Sequence, residues 1–353
     1  MKKRVVVALS GGVDSAFAAH LMLKKGYQVI ALHMDLGLGE VEEGRCCGWH
    51  AEKKARKIAA FLNIPFYVVN LRDKFREKVI SYFISSYLSG RTPNPCVVCN
   101  RFIKFGELLQ KTEELGGEKL VTGHYARIEK EGDKWVLKRG VDREKDQSYF
   151  LFSLLKKPLD RICFPAGELR KEEVIAEVKR CGIPAGFRES QEVCFLDKGG
   201  IKSLLLKKMK SMCSPGPIIT TKGKKVGTHP GISFFTVGQR RGLHLTLGEP
   251  YYVVRIIPEE NTIVVGRKEE LFSRILMAED MLWERGYRVE EEKVVEAKVR
   301  YRAKPARARI LAWDGKRLRL QFFQAQWAIT SGQAVVIYEG ERVVGGGWIK
   351  GTE

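Results

Sequence analysis

The sequence predicts a doubly wound parallel α/β domain followed by two small β-rich domains, and three observations lead there. Apolar runs at 5–9, 27–34, 65–69 and 119–122 read as buried parallel strands and alternate with helical patterns. A glycine-rich turn, Ser10-Gly11-Gly12-Val13-Asp14-Ser15, joins the first strand to the first helix. From Pro215 onward, short β-rich runs alternate with turns bearing Gly, Pro and Asn.

Each element has a local reason. Val5-Val6-Val7-Ala8-Leu9 is an apolar strand, and Ala16 to Leu23 has helical apolar spacing ended by Lys24-Lys25-Gly26, a basic last turn and a C-cap glycine. Residues 51–62, 74–88 and 103–115 read as helices, and 119–122 ends in Gly123-His124-Tyr125. Residues 126–139 read as a hairpin. Lys145-Asp146-Gln147-Ser148-Tyr149-Phe150 opens a helix with Asp146 as its N-cap, and 169–179 is a helix stopped by Cys181-Gly182-Ile183-Pro184. Ser190 to Phe195 reads as loop or short strand. The expected domains are 1–209 (catalytic), 210–272 (a β-rich adaptor) and 273–353 (a β-barrel).

At 353 residues, two or three domains are expected. Apolar content of 44% and charged content of 29% describe an ordinary globular protein. No apolar run is long enough to span a bilayer and Met1-Lys2-Lys3-Arg4 opens no signal peptide, so a cytoplasmic protein without membrane contact is expected. Lys and Arg number 62 against 42 Asp and Glu, a net +20 that points to a polyanionic partner. The basic residues are dense at Arg240-Arg241, 298–304 and 307–309, with aromatics interleaved.

The turn at 10–15 lies between a strand's carboxyl end and a helix N-terminus, where unpaired N–H groups and the helix dipole favour an anion. Gly11 and Gly12 let backbone approach a ligand, and Ser10 and Ser15 add hydroxyls. No Gly-Lys-Ser/Thr follows, so this is not the Walker loop. In a doubly wound sheet the ligand edge gathers this loop with Met34 and Gly123-His124. The loop is expected to be exposed, with Asp14 and Ser15 dispensable for folding.

Eight cysteines in a large chain with its own core do not indicate a disulfide scaffold. Cys163, Cys181 and Cys213 look isolated, and Cys46-Cys47 read as core or loop residues. Cys96 and Cys99 follow Thr92-Pro93-Asn94-Pro95 at an expected helix N-terminus, which lowers thiol pKa values and raises reactivity or metal affinity. One CxxC supplies only two of the four ligands of a structural zinc site.

The loop SGGVDS resembles the pyrophosphate loop of the N-type (PP-loop) ATP pyrophosphatases. Together with TPNP before Cys96 and Cys99-Asn100, Thr122 to Tyr125, Lys145 to Phe150, Val193-Cys194-Phe195, Thr236 to Gly242, Val299 to Arg302 and Ser331 to Ala334, the ordered set resembles the tRNA-specific 2-thiouridylases of the MnmA type over nearly the whole chain. The resemblance implies ATP with Mg2+, adenylation of the C2 oxygen of uridine 34 in tRNA, and sulfur transfer with loss of AMP. It implies ATP contacts at Ala8, Leu9, Ser10, Gly11, Gly12, Val13, Asp14, Ser15, Met34 and Gly123. It assigns Cys99 to attack at or face the base, Cys194 to carry a persulfide, and Asn94, Pro95 and Cys96 to the target base. His124, Lys145, Asp146, Gln147, Arg300, Tyr301 and Gln333 would touch tRNA, and a cysteine desulfurase, a relay protein or sulfide would donate sulfur. Cys96 stands where the family pattern has Asp, and three thiolates at Cys96, Cys99 and Cys194 would suit a [4Fe–4S] cluster. A small-molecule adenylating ligase, a thiolase acting on another base, and an RNA-binding module with a degenerate loop are the rival readings.

Overall fold

The structure is a computed structural model that describes residues 3–38, 49–187, 193–196, 214–245 and 248–353. The expectations for Cys46, Cys47, Cys213 and residues 190–192 lie outside the described residues. The chain divides into two compact units, one of Met1–Val79, Pro95–Asp197 and Glu341–Val344, the other of Ile80–Asn94, Lys198–Gly340 and Gly345–Glu353.

In the first unit β1 (Arg4–Ala8) leads to α1 (Val13–Lys24), then β2 (Gln28–Asp35), α2 (Trp49–Phe61), β3 (Phe66–Asn70) and α3 (Arg72–Phe75). The helix continues through a π turn, Arg76–Ile80, into α4 (Ser81–Leu88). A second run begins with α5 (Pro95–Val98), widens to a π-helix over Cys99–Glu107 and ends as α6 (Leu108–Glu114). It is followed by β4 (Lys119–Val121), the hairpin β5 (Ala126–Glu131) and β6 (Lys134–Arg139), β7 (Ile162–Cys163) and α7 (Lys171–Arg180). The sheet order is β3-β2-β1-β4-β7, with every pairing parallel.

Strand alternation sends Val5 and Val7 into a core with Ala16, Ala19 and Met22 of α1, Ala55 and Ile58 of α2, and Val174 and Val178 of α7. Val6 between them is also fully buried, as expected of a sheet covered on both faces. β7 is an edge strand that the sequence did not announce. The segment opening at Lys145 forms no α-helix: only a 3-10 turn, Ser148–Phe150, is present. Its N-cap is Gln147 rather than the expected Asp146, whose carboxylate instead accepts from Ser148 N (3.0 Å) and Oγ (2.9 Å) and from Gly140 N (3.0 Å).

The second unit contains β8 (Gly216–Thr220), β9 (Lys225–His229), β10 (Tyr252–Ile257) and β11 (Thr262–Gly266), a sheet of order β10-β11-β8-β9. Its core is Ile218, Ile232, Phe235, Leu243, Val253, Ile263 and Val265. β12 (Phe272–Trp283), β13 (Val294–Lys298), β14 (Ala306–Trp313), β15 (Arg317–Trp327), β16 (Ala334–Glu339) and β17 (Arg342–Thr352) run in the order 12-15-14-13-16-17. Pairing of β12 with β17 closes the barrel and leaves no open edge. Among the described residues no helix is long and apolar enough to cross a membrane.

Candidate active site

The turn after β1 is built by both of its glycines, for different reasons. Gly11 has φ +83°, and a Cβ there would lie 2.7 Å from Ala51 O and 2.9 Å from Lys54 Cβ, so the fold itself requires glycine. A Cβ on Gly12 would meet only Ser10 Oγ, at 3.6 Å. The protein's own packing makes no demand for glycine there, and the open space lies at the N-terminus of α1. Val13 N donates to Gly186 O (3.0 Å) and Gly186 N to Gly11 O (3.0 Å), which pins the turn from its far side.

The loop is less exposed than expected. Ser15 is buried, with Oγ 3.0 Å from Gly12 O and 3.1 Å from Ser10 Oγ, so these hydroxyls shape the turn. Asp14 is clamped: Lys171 Nζ, 8% exposed, lies 2.6 and 2.8 Å from its two carboxylate oxygens, and Tyr125 Oη donates to Oδ1 at 2.7 Å. The ammonium also sits 5.3 Å from the centre of the Tyr125 ring. Lys171 did not stand out in the sequence, and Tyr125 did so only as part of the motif Thr122 to Tyr125, with no role assigned to it. Their signal is a polar side chain buried at a helix start or strand end, which the sequence alone does not display.

Gly123 was expected to clear space for a nucleotide. A Cβ there would instead lie 2.6–2.8 Å from Asp14 and Ser15, so the glycine lets the end of β4 pass the loop itself. Met34 is half-buried near the end of β2, where Leu9 N donates to Leu32 O and the imidazole of His33 bonds Leu9 O at 2.8 Å. The carboxyl edge thus gathers around the loop as a doubly wound sheet requires.

His124 sits between the rings of Phe105 and Phe164 (centroids 5.7 and 5.5 Å). Its Nδ1 is 2.7 Å from Thr122 Oγ1 and its Nε2 is 3.3 Å from Lys104 Nζ. Burial, with the nearby Lys104 charge, holds its pKa well below the usual imidazole range. The neutral ring packs between two aromatic rings and hydrogen-bonds within the fold.

Cys96 is exposed in the first helical turn and Cys99 half-buried at i+3, which sets both on one helix face. Cys194 is half-buried in a turn whose next residue, Phe195, packs edge-on against Phe75 of α3 (5.8 Å). All five described cysteines are thiols rather than disulfides. Cys96, Cys99 and Cys194 do not converge within the reach of a single ion; among the described residues only His20, Glu177 and Cys181 do. Cys181 is therefore not the isolated residue it looked to be. Cys163 lies in β7, where burial pushes its thiol up.

Several residues that the resemblance assigns to tRNA have internal partners. Gln147 Oε1 accepts from Tyr125 N (3.1 Å), Asp146 accepts from Gly140 and Ser148, and Lys145 N donates to Asp142 Oδ1 (3.3 Å). In the second unit Gln333 Nε2 donates to the carbonyls of Thr92 and Pro93, both at 3.1 Å. Arg300 donates to the carbonyls of Trp327 and Ala328 and lies 5.0 Å from the Trp327 ring centre. Tyr301 is stacked by Lys298 (5.4 Å). Asn94 and Pro95 are buried. The barrel also carries an exposed ring, Phe323, with the guanidinium groups of Arg307 and Arg309 at 5.1 and 5.7 Å.

Three family models match the chain consecutively: the tRNA methyl transferase HUP domain over residues 3–198, the tRNA methyl transferase PRC-barrel domain over 202–267 and the aminomethyltransferase beta-barrel domain over 273–349. The tRNA-specific 2-thiouridylase MnmA 1 of Caldanaerobacter subterraneus subsp. tengcongensis is 43% identical, with 99% of this chain and 98% of that protein aligned. The tRNA-specific 2-thiouridylases MnmA of Moorella thermoacetica and Clostridioides difficile are 44% and 42% identical, over 98% and 99% of this chain and 99% of each relative. The chain belongs to the MnmA family of tRNA-specific 2-thiouridylases.

Within this MnmA-family chain, the Asp14–Lys171 pair makes two predictions concrete. Asp14→Ala leaves an ammonium buried without its carboxylate and should lower stability by about 1–3 kcal/mol, tempered by the partial exposure of Asp14. Adding Lys171→Met should recover part of that loss, a coupling that urea titrations of the four proteins would measure. The second concerns acid. An imidazole held neutral in the fold but protonated when unfolded contributes stability that is complete above about pH 6.5 and lost as pH falls below it. Between about pH 7.5 and 5.5, His124→Gln should lose roughly 1 kcal/mol less stability than the parent, read from denaturant midpoints at each pH.

Proposed function

We propose that this chain catalyses the ATP-dependent 2-thiolation of uridine 34 in tRNA; its relatives are named tRNA-specific 2-thiouridylases. The observation that supports the reading is that a side chain at Gly12, on the N-terminus of α1, would meet only Ser10 Oγ, on the same unit as Cys96, Cys99 and Cys194. Methyl transfer, the phrase in two of the family descriptions, needs neither a pyrophosphate-type loop nor reactive thiols.

The α1 dipole and first-turn N–H groups would receive the phosphates of ATP, brought in as its Mg2+ complex. Pyrophosphate leaves when the uridine O2 attacks the α-phosphorus, and the adenylate turns that oxygen into a good leaving group. Ala8, Leu9 and Met34 would border the nucleotide, with Asn94 and Pro95 against the flipped base. Sulfur then adds at C2 and AMP departs with the oxygen. If a persulfide on Cys194 delivers it, Cys99 attacks the Cys194 sulfur, the thiolated base is released, and the resulting disulfide is reduced by an external thiol. A cysteine desulfurase or a relay protein would supply that persulfide sulfur, whereas free sulfide, already fully reduced, would serve only a route that needs no persulfide. The basic barrel face with Phe323 between Arg307 and Arg309 supports a nucleic-acid partner through stacking and charge, and tRNA and ATP meet in the cytoplasm. The parts 1–209, 210–272 and 273–353 would serve as catalytic, adaptor and barrel domains.

Cys96 favours a second version of the sulfur step. Three thiols, two of them at i and i+3 on one helix, are a donor set that fits three corners of a [4Fe–4S] cluster. Bound there, such a cluster would supply an open iron able to hold sulfide. The chain's part is to keep three sulfurs as thiolates, and the helix N-terminus favours that charge at Cys96 and Cys99.

Gly12→Ala should fold like the parent yet lose pyrophosphate release and 2-thiouridine, whereas Gly11→Ala should destabilise the chain. Mass analysis of nucleosides from tRNA incubated with ATP and sulfide reads this. A different thiolated base, or none, would redirect the proposal. For the cluster, anaerobic reconstitution should load about four irons per chain with broad visible absorption, as the cluster type requires. Cys96→Ala, Cys99→Ala and Cys194→Ala should each lose both, and iron-free Cys96→Ala with full thiolation would leave the persulfide route.

A further inference from the structure

On the outer end of the α1–α7 pair, away from the residues assigned to thiolation, lies a second constellation. His20 Nε2 is 3.4 Å from Glu177 Oε1 and 3.5 Å from Cys181 Sγ, and the sulfur is 3.9 Å from Glu177 Oε1. His20 comes from α1. Glu177 and Cys181 are i and i+4 at the end of α7, so one helix face presents both. His20 and Glu177 are only 21% and 23% exposed.

We infer that His20, Glu177 and Cys181 form a binding site for one zinc ion, with water as fourth ligand. Tetrahedral zinc with bonds of about 2.0 Å to nitrogen and oxygen and about 2.3 Å to sulfur has edges of about 3.3 Å between N and O and about 3.5 Å to S. The three donor atoms already stand close to that spacing. A neutral imidazole, a carboxylate and a thiolate also balance the charge of the ion. Arg180 forks onto Glu177 (Nη2 to Oε1 and Oε2, both 2.7 Å; Nε to Oε2, 2.9 Å), so the guanidinium orients the carboxylate; Oε1, which it shares, is the oxygen that faces His20 and Cys181. It also holds the Glu177 carboxyl below its usual range. Lys24 (3.7 Å from Oε1) and Arg180 have side chains 62% and 65% exposed, so water screens their repulsion of a cation.

The ordinary alternative is a hydrogen-bonded triad that ties two helices without metal. Zinc titration of the full chain under reducing conditions separates the two, with cobalt as spectroscopic stand-in. The parent should bind one zinc that both His20→Ala and Cys181→Ser lose, with affinity reduced by more than the roughly 10–100-fold typical of a lost second-shell partner. Cobalt should give tetrahedral visible bands and a thiolate charge-transfer band, absent from both variants and retained in Cys99→Ala. Zinc should raise the melting temperature of the parent and of Cys99→Ala only. Cys181→Ser is close to isosteric, which keeps the test valid if His20→Ala folds poorly. Unchanged zinc stoichiometry in either variant, or a cobalt thiolate band abolished by Cys99→Ala alone, would overturn the site.

Discussion

The contact on which the first unit most depends is the ion pair between Asp14 and Lys171. Asp14 lies in the first turn of α1, where a helix dipole favours an anion; Lys171 opens α7, where the dipole opposes a cation. A lysine in that position, 8% exposed, is tolerable only because a carboxylate and the Tyr125 ring face it. The pair therefore fixes two helix starts against each other and, through Tyr125, the end of β4. Six residues further along each helix, His20 meets Glu177, so α1 and α7 run parallel and are joined at both ends. The nucleotide loop is held by a two-point clamp rather than by its own short sequence.

That arrangement explains what was legible and what was not. The strands β1, β2, β3 and β4 lie in apolar runs that alternate with helices, which implies parallel pairing, so the α/β class could be read directly, whereas the order β3-β2-β1-β4-β7 could not. The SGGVDS turn is equally local. Lys171 lies 157 positions from Asp14 and Cys181 lies 161 from His20, and no spacing rule connects such pairs. β7 is only Ile162–Cys163, too short for a period-two signal, and exists because β4 offers it an edge. The π turns at Arg76–Ile80 and Cys99–Glu107 keep a helical apolar pattern, which conceals the extra residue per turn. The 3-10 turn at Ser148 replaces the expected helix because Asp146 spends its oxygens on Ser148 and on Gly140 across the loop.

Motif residues raise a different point. A family motif says that a residue matters, while its contacts say how. Gln333, expected against RNA, has its amide on the carbonyls of Thr92 and Pro93. Those carbonyls precede and follow prolines that donate nothing, in a segment that no strand or helix can pair. Thr92 N in turn donates to Ser331 O (2.9 Å) and its hydroxyl to Thr236 Oγ1 (3.1 Å), so two distant motifs converge on one extended stretch. The function of that convergence is conformational. It holds residues 92–94 extended until Pro95, whose fixed φ suits the first position of a helix, starts α5. Cys96 and Cys99 then fall in the opening turns of that helical run, so a motif residue such as Gln333 shows its role here in the backbone it holds.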